Sequence, residues 1–364
     1  MAPIAPNDRW GRARVYRRIQ YRRTLISYAL SALYLTALIA GGSRWLGRIA
    51  AHPVLYVAAL FLGLALVGLP ADCYGHLQAR RAGLSNERTG SWLVDQMKGI
   101  LVALLIQVVL AGGLLWLWTV LPRTWHFWTA AVAVAVDLTL VLLTPGVILP
   151  WLHTYAPLAD EEIKARLRSL CERAGIPVQG VYVSEVRSTQ SSWDAVLTGL
   201  GPARRIILSD TMLEACTPEE IEVVISHELG HHRHRHLQKR SLGTALLLGA
   251  GILILGYALP PLSALLGLGG LTKEALPLLG GLVILLGLPL LPALLALARH
   301  WERIADAFAL QLTGNPEAYV SVMKSLAVIN LVDLAPPRWV YYFQYAHPTI
   351  PERIALAERR PRSA

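Results

Sequence analysis

The sequence predicts an all-α polytopic membrane bundle of about six spans. A smaller α+β domain sits on its cytoplasmic side and is split in two by a helical hairpin. Three observations predict this. Of 364 residues, 54% are hydrophobic and only 16% charged, whereas ordinary globular chains carry about 25% charge. The apolar residues gather into long uncharged runs, and about 20 such residues cross a bilayer. The polar residues fall largely into two blocks, 151–240 and 299–364, separated by two of those runs. This composition excludes intrinsic disorder and a simple soluble enzyme.

The spans are read in order. Runs 24–43, 49–71, 99–122, 241–272 and 275–298 carry no charged residue, and 124–159 carries only Asp137. The first is expected to stay as a span, because arginines crowd ahead of it, no A-x-A site follows and more spans come after. The resulting organisation is an N-terminal membrane domain of four spans over 1–150, then the first polar block over 151–240. A hairpin of spans five and six follows over 241–298, then the second polar block over 299–364. Lys and Arg fix the expected orientation. The N-terminal arm, segment 72–98 and the two polar blocks hold 30 of them, and the alternate loops hold 4. Both termini and both blocks are therefore expected in the cytoplasm. The net charge of +10 reads as this topology signal plus attraction to acidic lipid. No nucleic-acid recognition motif accompanies it, so nucleic acid is not expected as a partner.

Inside the span 124–159, Asp137 reads either as a protonated acid bonded to a neighbouring span or as a residue lining a wet chamber. Pro145, Pro289 and Pro292 should kink their helices. The three cysteines, Cys73, Cys171 and Cys216, lie far apart and are odd in number. They read as inert thiols rather than a disulfide framework or a cysteine zinc site.

Within the polar blocks, residues 160–174 (DEEIKARLRSLCERA) predict an amphipathic helix ended by Gly175 and Pro177. VQGVYVSEV, AVLTG and RRIILSD predict short strands. Thr217-Pro218-Glu219-Glu220 predicts a helix start, with Thr as N-cap and Glu220 completing a capping box. That helix is expected to run on to His236. Further helices are expected at 299–313, 317–332 and 351–360.

The predicted helix after Thr217 carries His227-Glu228-Leu229-Gly230-His231, an H-E-x-x-H motif. Spacing of four puts both imidazoles on one face, one turn apart, where they can share one Zn²⁺ per chain. Glu228 beside them can act as general base on a water. A third ligand is needed, and the position that would supply a later histidine is Leu237. The remaining candidate is Glu302, which the hairpin returns to the same bilayer face. Asp306, one turn further on, is placed to accept a hydrogen bond from the far nitrogen of a zinc histidine. His232, His234 and His236 extend the motif and read as a basic helix end near acidic lipid.

HELGH, then ERIAD (302–306) after a membrane hairpin, then His347-Pro348-Thr349-Ile350-Pro351-Glu352-Arg353, resembles the CAAX prenyl protease type I family. Gly83-Leu84-Ser85, Gly90 to Gly99, Pro157-Leu158 and Thr198-Gly199-Leu200-Gly201 fit the same family. The resemblance implies an integral-membrane zinc endopeptidase of the gluzincin group, with a zincin-like α+β domain. It implies Glu228 as base, His227, His231 and Glu302 as zinc ligands, and Asp306 as the residue orienting a ligand. It also implies His347 as the group that stabilises the oxyanion and Arg353 as the residue ordering that region. Asp194-Ala195-Val196 would be the edge strand that binds substrate backbone by β-augmentation. The chain departs from the family at Asp194, where the family has Asn, and at Ser191-Ser192-Trp193, where it has Ser-His-Ser. A carboxylate cannot donate as an amide does. Six spans also differ from the seven of eukaryotic members.

The implied partners are the lipid bilayer and peptide or membrane-protein substrates, with or without a prenyl group. The implied membrane is the plasma membrane in a bacterium and the endoplasmic reticulum in a eukaryote. Arg outnumbers Lys 29 to 5, as GC-rich bacterial coding would give. The rival readings are a heat-shock type quality-control metalloprotease and a non-catalytic zinc-binding membrane scaffold.

Overall fold

The computed structural model describes residues 9–81, 87–144, 155–184, 195–199, 204–329 and 332–359. Two compact units emerge, 1–135 with 246–290 and 136–245 with 291–364.

The first unit is helical. It contains α1 (Arg9–Ala37), a π turn (Leu38–Gly42), α2 (Ser43–Ile49), α3 (Pro53–Arg81), α4 (Thr89–Val120) and the start of α5 (Trp125–Leu143). It also takes most of α9 (His236–Leu265) and the first part of α10 (Leu276–Thr313). Gly41 breaks the helical pattern at φ 150, a conformation open to glycine without steric cost. Tyr56, Val57, Leu60, Trp118, Trp125 and Leu259 fill the interior. Leu101, Leu105, Val109, Leu246 and Leu285 stay exposed. Apolar residues on the outside of helices this long are what a lipid environment accepts. Six helices are long and apolar enough to cross: Arg14–Ile49, Pro53–Arg81, Thr89–Val120, Trp125–Leu143, His236–Leu265 and Lys273–Thr313. The chain is a multi-pass membrane protein. Helix α10 stays continuous through Pro289 and Pro292, and Pro145 lies outside the described residues. One Asp137 oxygen, Oδ2, is buried with no hydrogen-bond partner among the described residues, so the expected bond to a neighbouring span is not found for it.

The second unit holds a four-stranded sheet in the order β1-β2-β4-β3. Its strands are β1 (Tyr155–Pro157), β2 (Gly180–Ser184), β3 (Ala195–Thr198) and β4 (Arg205–Ser209). β2 and β4 run parallel, in register from Gly180 opposite Arg205 to Ser184 opposite Ser209. β3 lies antiparallel to β4 at one edge, with Ala195 opposite Leu208 and Thr198 opposite Arg205. Helices α6 (Glu161–Ala174), α7 (Asp210–Ala215) and α8 (Pro218–Arg233) accompany it, followed later by α11 (Pro316–Ile329), α12 (Arg338–Gln344) and α13 (Ile350–Glu358). Asp160 caps α6 by accepting from the amides of Glu162 and Ile163, and Gly175 ends it at φ 67. Apolar faces of α6 and α8 meet the sheet through Leu167, Leu170, Ile206, Leu208, Ile221 and Ile225. A second core joins α8, α11 and α13 through Val223, Tyr319, Val322 and Ile350.

The structure corrects three expectations. The helix expected at 299–313 is not separate but continues the sixth span as the end of α10. The helix expected to reach His236 stops at Arg233. Short elements β1, α7 and α12 appear where none was expected.

Candidate metal centre

Helix α8 delivers the first two groups. A capping box fixes its start: the Glu220 amide donates to Thr217 Oγ1 at 3.3 Å, and the Thr217 amide donates to Glu220 Oε2 at 2.9 Å. Ile221, Ile225 and Leu229 bury one stripe, which turns His227 and His231 out together on another. Their Nε2 atoms lie 3.1 Å apart. Helix α10 brings the third group, with Glu302 Oε2 3.2 Å from His227 Nε2 and Oε1 3.3 Å from His231 Nε2. The close crossing depends on Gly230, where an added Cβ would lie 3.0 Å from the Ala305 Cα.

This donor set fits a metal ion. Two imidazole nitrogens and a carboxylate converge within 4.8 Å of one another. Glu302 Oε2 is buried with no hydrogen-bond partner among the described residues, an expensive state unless a cation answers it. Two histidines and one glutamate are the kind of donor set that catalytic zinc takes.

Behind these groups runs a buried chain of contacts. Asp306 is 0% exposed, and its Oδ1 lies 2.9 Å from His227 Nδ1. Arg353 donates to both Asp306 oxygens, Nε to Oδ2 at 2.9 Å and a terminal nitrogen to Oδ1. Burial opposes a charge on Arg353, but the Asp306 carboxylate outweighs it and raises the pKa. Burial likewise opposes a charge on His227, while Asp306 and Glu302 raise its pKa to about 9. The surroundings of His227 thus favour a cation. Arg353 comes from α13, whose start is set by a capping box of Thr349 and Glu352.

At the rim, His347 Nε2 lies 3.6 Å from Glu302 Oε1, with its side chain 63% exposed. Glu228 is half-buried between the two histidines in sequence. Ala195 and Val196 open the edge strand β3. Asp194, the Ser191–Trp193 segment and residues 82–86, 200 and 201 lie outside the described residues.

Three side chains stand differently from their sequence reading or escaped it. His232 is tied to the sheet: its Nε2 lies 2.9 Å from the Leu197 carbonyl oxygen of β3. His236 is 4% exposed and packs on Trp301. Arg299, unremarked in the sequence, is 3% exposed. It donates to the carbonyls of Tyr341 and Tyr345 at 3.0 and 2.6 Å and lies over the Tyr341 ring at 4.5 Å. Spacing of three from Glu302 put it on the metal-bearing face, the signal that could have found it. It ties the segment before His347 to α10.

Two comparisons cover nearly the whole chain. Residues 157–360 match the family model described as peptidase family M48. Residues 1–154 match one described as CAAX prenyl protease N-terminal, five membrane helices; four candidate spans lie in the described part of that stretch. An uncharacterized metalloprotease, YhfN of Bacillus subtilis, is 30% identical over 309 residues, 84% of this chain and 72% of that protein. CAAX prenyl protease 1 of Saccharomyces cerevisiae is 26% identical over 324 residues, 82% of this chain and 71% of its own. The crystal structure of S. mikatae Ste24p shares the fold, with TM-score 0.78, 20% identity, and coverage of 98% of this chain and 92% of that one.

Proposed function

From the premise that this chain belongs to peptidase family M48 and is a membrane metalloprotease of the CAAX prenyl protease type, we propose a zinc endopeptidase. Its substrates are flexible peptide segments near the cytoplasmic bilayer face. The observation that carries the proposal is the convergence of His227, His231 and Glu302 within 4.8 Å, with Glu228 beside them. Zinc held there supplies a Lewis acid that polarises a carbonyl and makes water acidic. Glu228 takes a proton from the attacking water at its carboxylate and passes it to the leaving amine. His347, free enough at the rim to meet substrate, donates a hydrogen bond to the carbonyl oxygen as charge grows there. Asp306, held by Arg353, fixes the His227 ring.

The outer edge of β3 meets no other strand among the described residues, so an extended peptide can add to it. Asp194, which precedes Ala195 in the sequence, receives the substrate differently from an asparagine, because a carboxylate cannot donate a hydrogen bond. The membrane-spanning stretches over 1–150 and 241–298 make the enzyme an integral membrane protein, with the protease domain divided between 151–240 and 299–364. The 30-to-4 distribution of Lys and Arg supports a cytoplasmic site. Leu and Ala suit lipid and isoprenoid equally, so a prenyl group is accepted without being required. Matched CAAX peptides with and without the lipid test this: cleavage of both is expected. Cleavage of the prenylated peptide alone replaces the broad reading with strict CAAX processing.

A further inference from the structure

Helix α8 ends at Arg233, and two residues later Arg235 takes a left-handed backbone, φ 54. It is the sole non-glycine residue with positive φ among the described residues. A side chain is held in that region at a cost, so the sharp turn calls for an explanation. It falls between the end of α8 and the start of α9, whose first residue, His236, lies against His231. The His236 ring is 4% exposed and stacks on Trp301, centroids 5.4 Å apart and 13° between planes. Trp301 immediately precedes Glu302 on α10. His236 Nδ1 lies 2.9 Å from His231 Nδ1, and its Nε2 has no partner among the described residues.

We infer that His236 is the positioning residue for His231, as Asp306 is for His227; the inference rests on the zinc reading above. His231 offers Nε2 toward His227 and Glu302, which leaves its proton on Nδ1. Among the described residues the acceptor at hand for that proton is the His236 Nδ1, and accepting it places the His236 proton on Nε2. The tautomer and plane of His231 are then fixed from behind, the role that outer partners play for zinc histidines. A stacked tryptophan holds the accepting ring flat, and the left-handed turn at Arg235 aims it. The two zinc histidines are thereby backed unequally, one by an ion-paired carboxylate and one by a neutral ring.

The test is zinc affinity of the purified full-length protein, measured by competition with a chromophoric chelator, with thermal unfolding followed alongside. His236→Leu should weaken zinc binding about 10–100-fold. His236→Asn, which can place an acceptor oxygen near the position of Nδ1, should recover most of the loss, with the two variants unfolding at similar temperatures. A purely packing role predicts the reverse order, since leucine fills the site better than asparagine. Equal zinc affinity in wild type and His236→Leu overturns the inference and leaves the zinc reading standing. Wild type that binds zinc no better than His227→Ala overturns both.

Discussion

His227, His231 and Glu302 each offer one atom to a common point, and losing any one should be felt first as lost metal. Glu302→Ala should purify with little zinc. Full zinc retention in that variant would remove Glu302 from the ligand set. Arg353 makes a different kind of prediction. Its side chain, 10% exposed, pairs with a fully buried Asp306, and breaking such a pair weakens the answer to a buried charge at a cost of up to about 3–5 kcal/mol. Arg353→Met should therefore unfold at markedly lower temperature, and an unchanged melting curve would contradict the contact. Burial pushes the Cys171 thiol up to about 11 and the Cys216 thiol up to about 12. Thiolate is the reactive form, so both should alkylate slowly at pH 8 in the folded protein and rapidly after denaturation. Rapid modification of the native protein would refute this. At this scale the sequence was most legible where spacing carries chemistry: a step of four from His227 to His231, and of four from Glu302 to Asp306. Arg299 was missed because an arginine closing an apolar run looks like an interfacial anchor.

Helix α8 is the element on which the site depends, and its crossing with α10 sets how Glu302 meets the histidines. Gly230 makes that crossing possible. An alanine Cβ there would meet backbone atoms of Ala305 at 3.0–3.2 Å, which cannot rotate away. Gly230→Ala should push the helices apart and weaken zinc binding, while a distant control such as Gly99→Ala, with nothing within 4 Å, should not. Zinc binding that falls equally in both would dismiss the crossing argument. The edge strand offers a second test. In an antiparallel strand the N–H and C=O of one residue point to the same side. The Leu197 carbonyl is already taken by His232, so the open backbone groups should centre on Ala195. His232→Leu frees that carbonyl and should add cleavage sites displaced along the peptide, seen by mass spectrometry of products. An unchanged product pattern would count against this register. A capping box announced α8 in the sequence because Thr217 and Glu220 act locally, and α6 was announced by its amphipathic run and its stop at Gly175. Helix α12 was illegible: RWVYYFQ is rich in residues that favour strands, and the carbonyls of Tyr341 and Tyr345 are answered by Arg299 from a distant helix. The end of α8 was illegible too, since nothing in HHRHRH marks Arg235 for a left-handed turn.

Over the whole molecule, six long apolar helices were readable from composition alone. The uncharged runs have no other stable setting than lipid, and the two polar blocks had to come together for Glu302 to reach His227. Orientation is a further expectation. With Cys73, Cys171 and Cys216 replaced, single cysteines at Gly201 and Pro337 should resist an impermeant thiol reagent in intact cells and react after lysis. Labelling of both before lysis would invert the topology. The central claim is that zinc and Glu228 together make this chain a peptidase, and one paired measurement tests it most directly: zinc content and peptide cleavage in purified wild type and Glu228→Gln. One zinc per chain is expected in both proteins, with cleavage in the variant reduced at least about a hundredfold for loss of the general base. Equal cleavage by Glu228→Gln, or activity in wild type that survives complete removal of zinc, would contradict it.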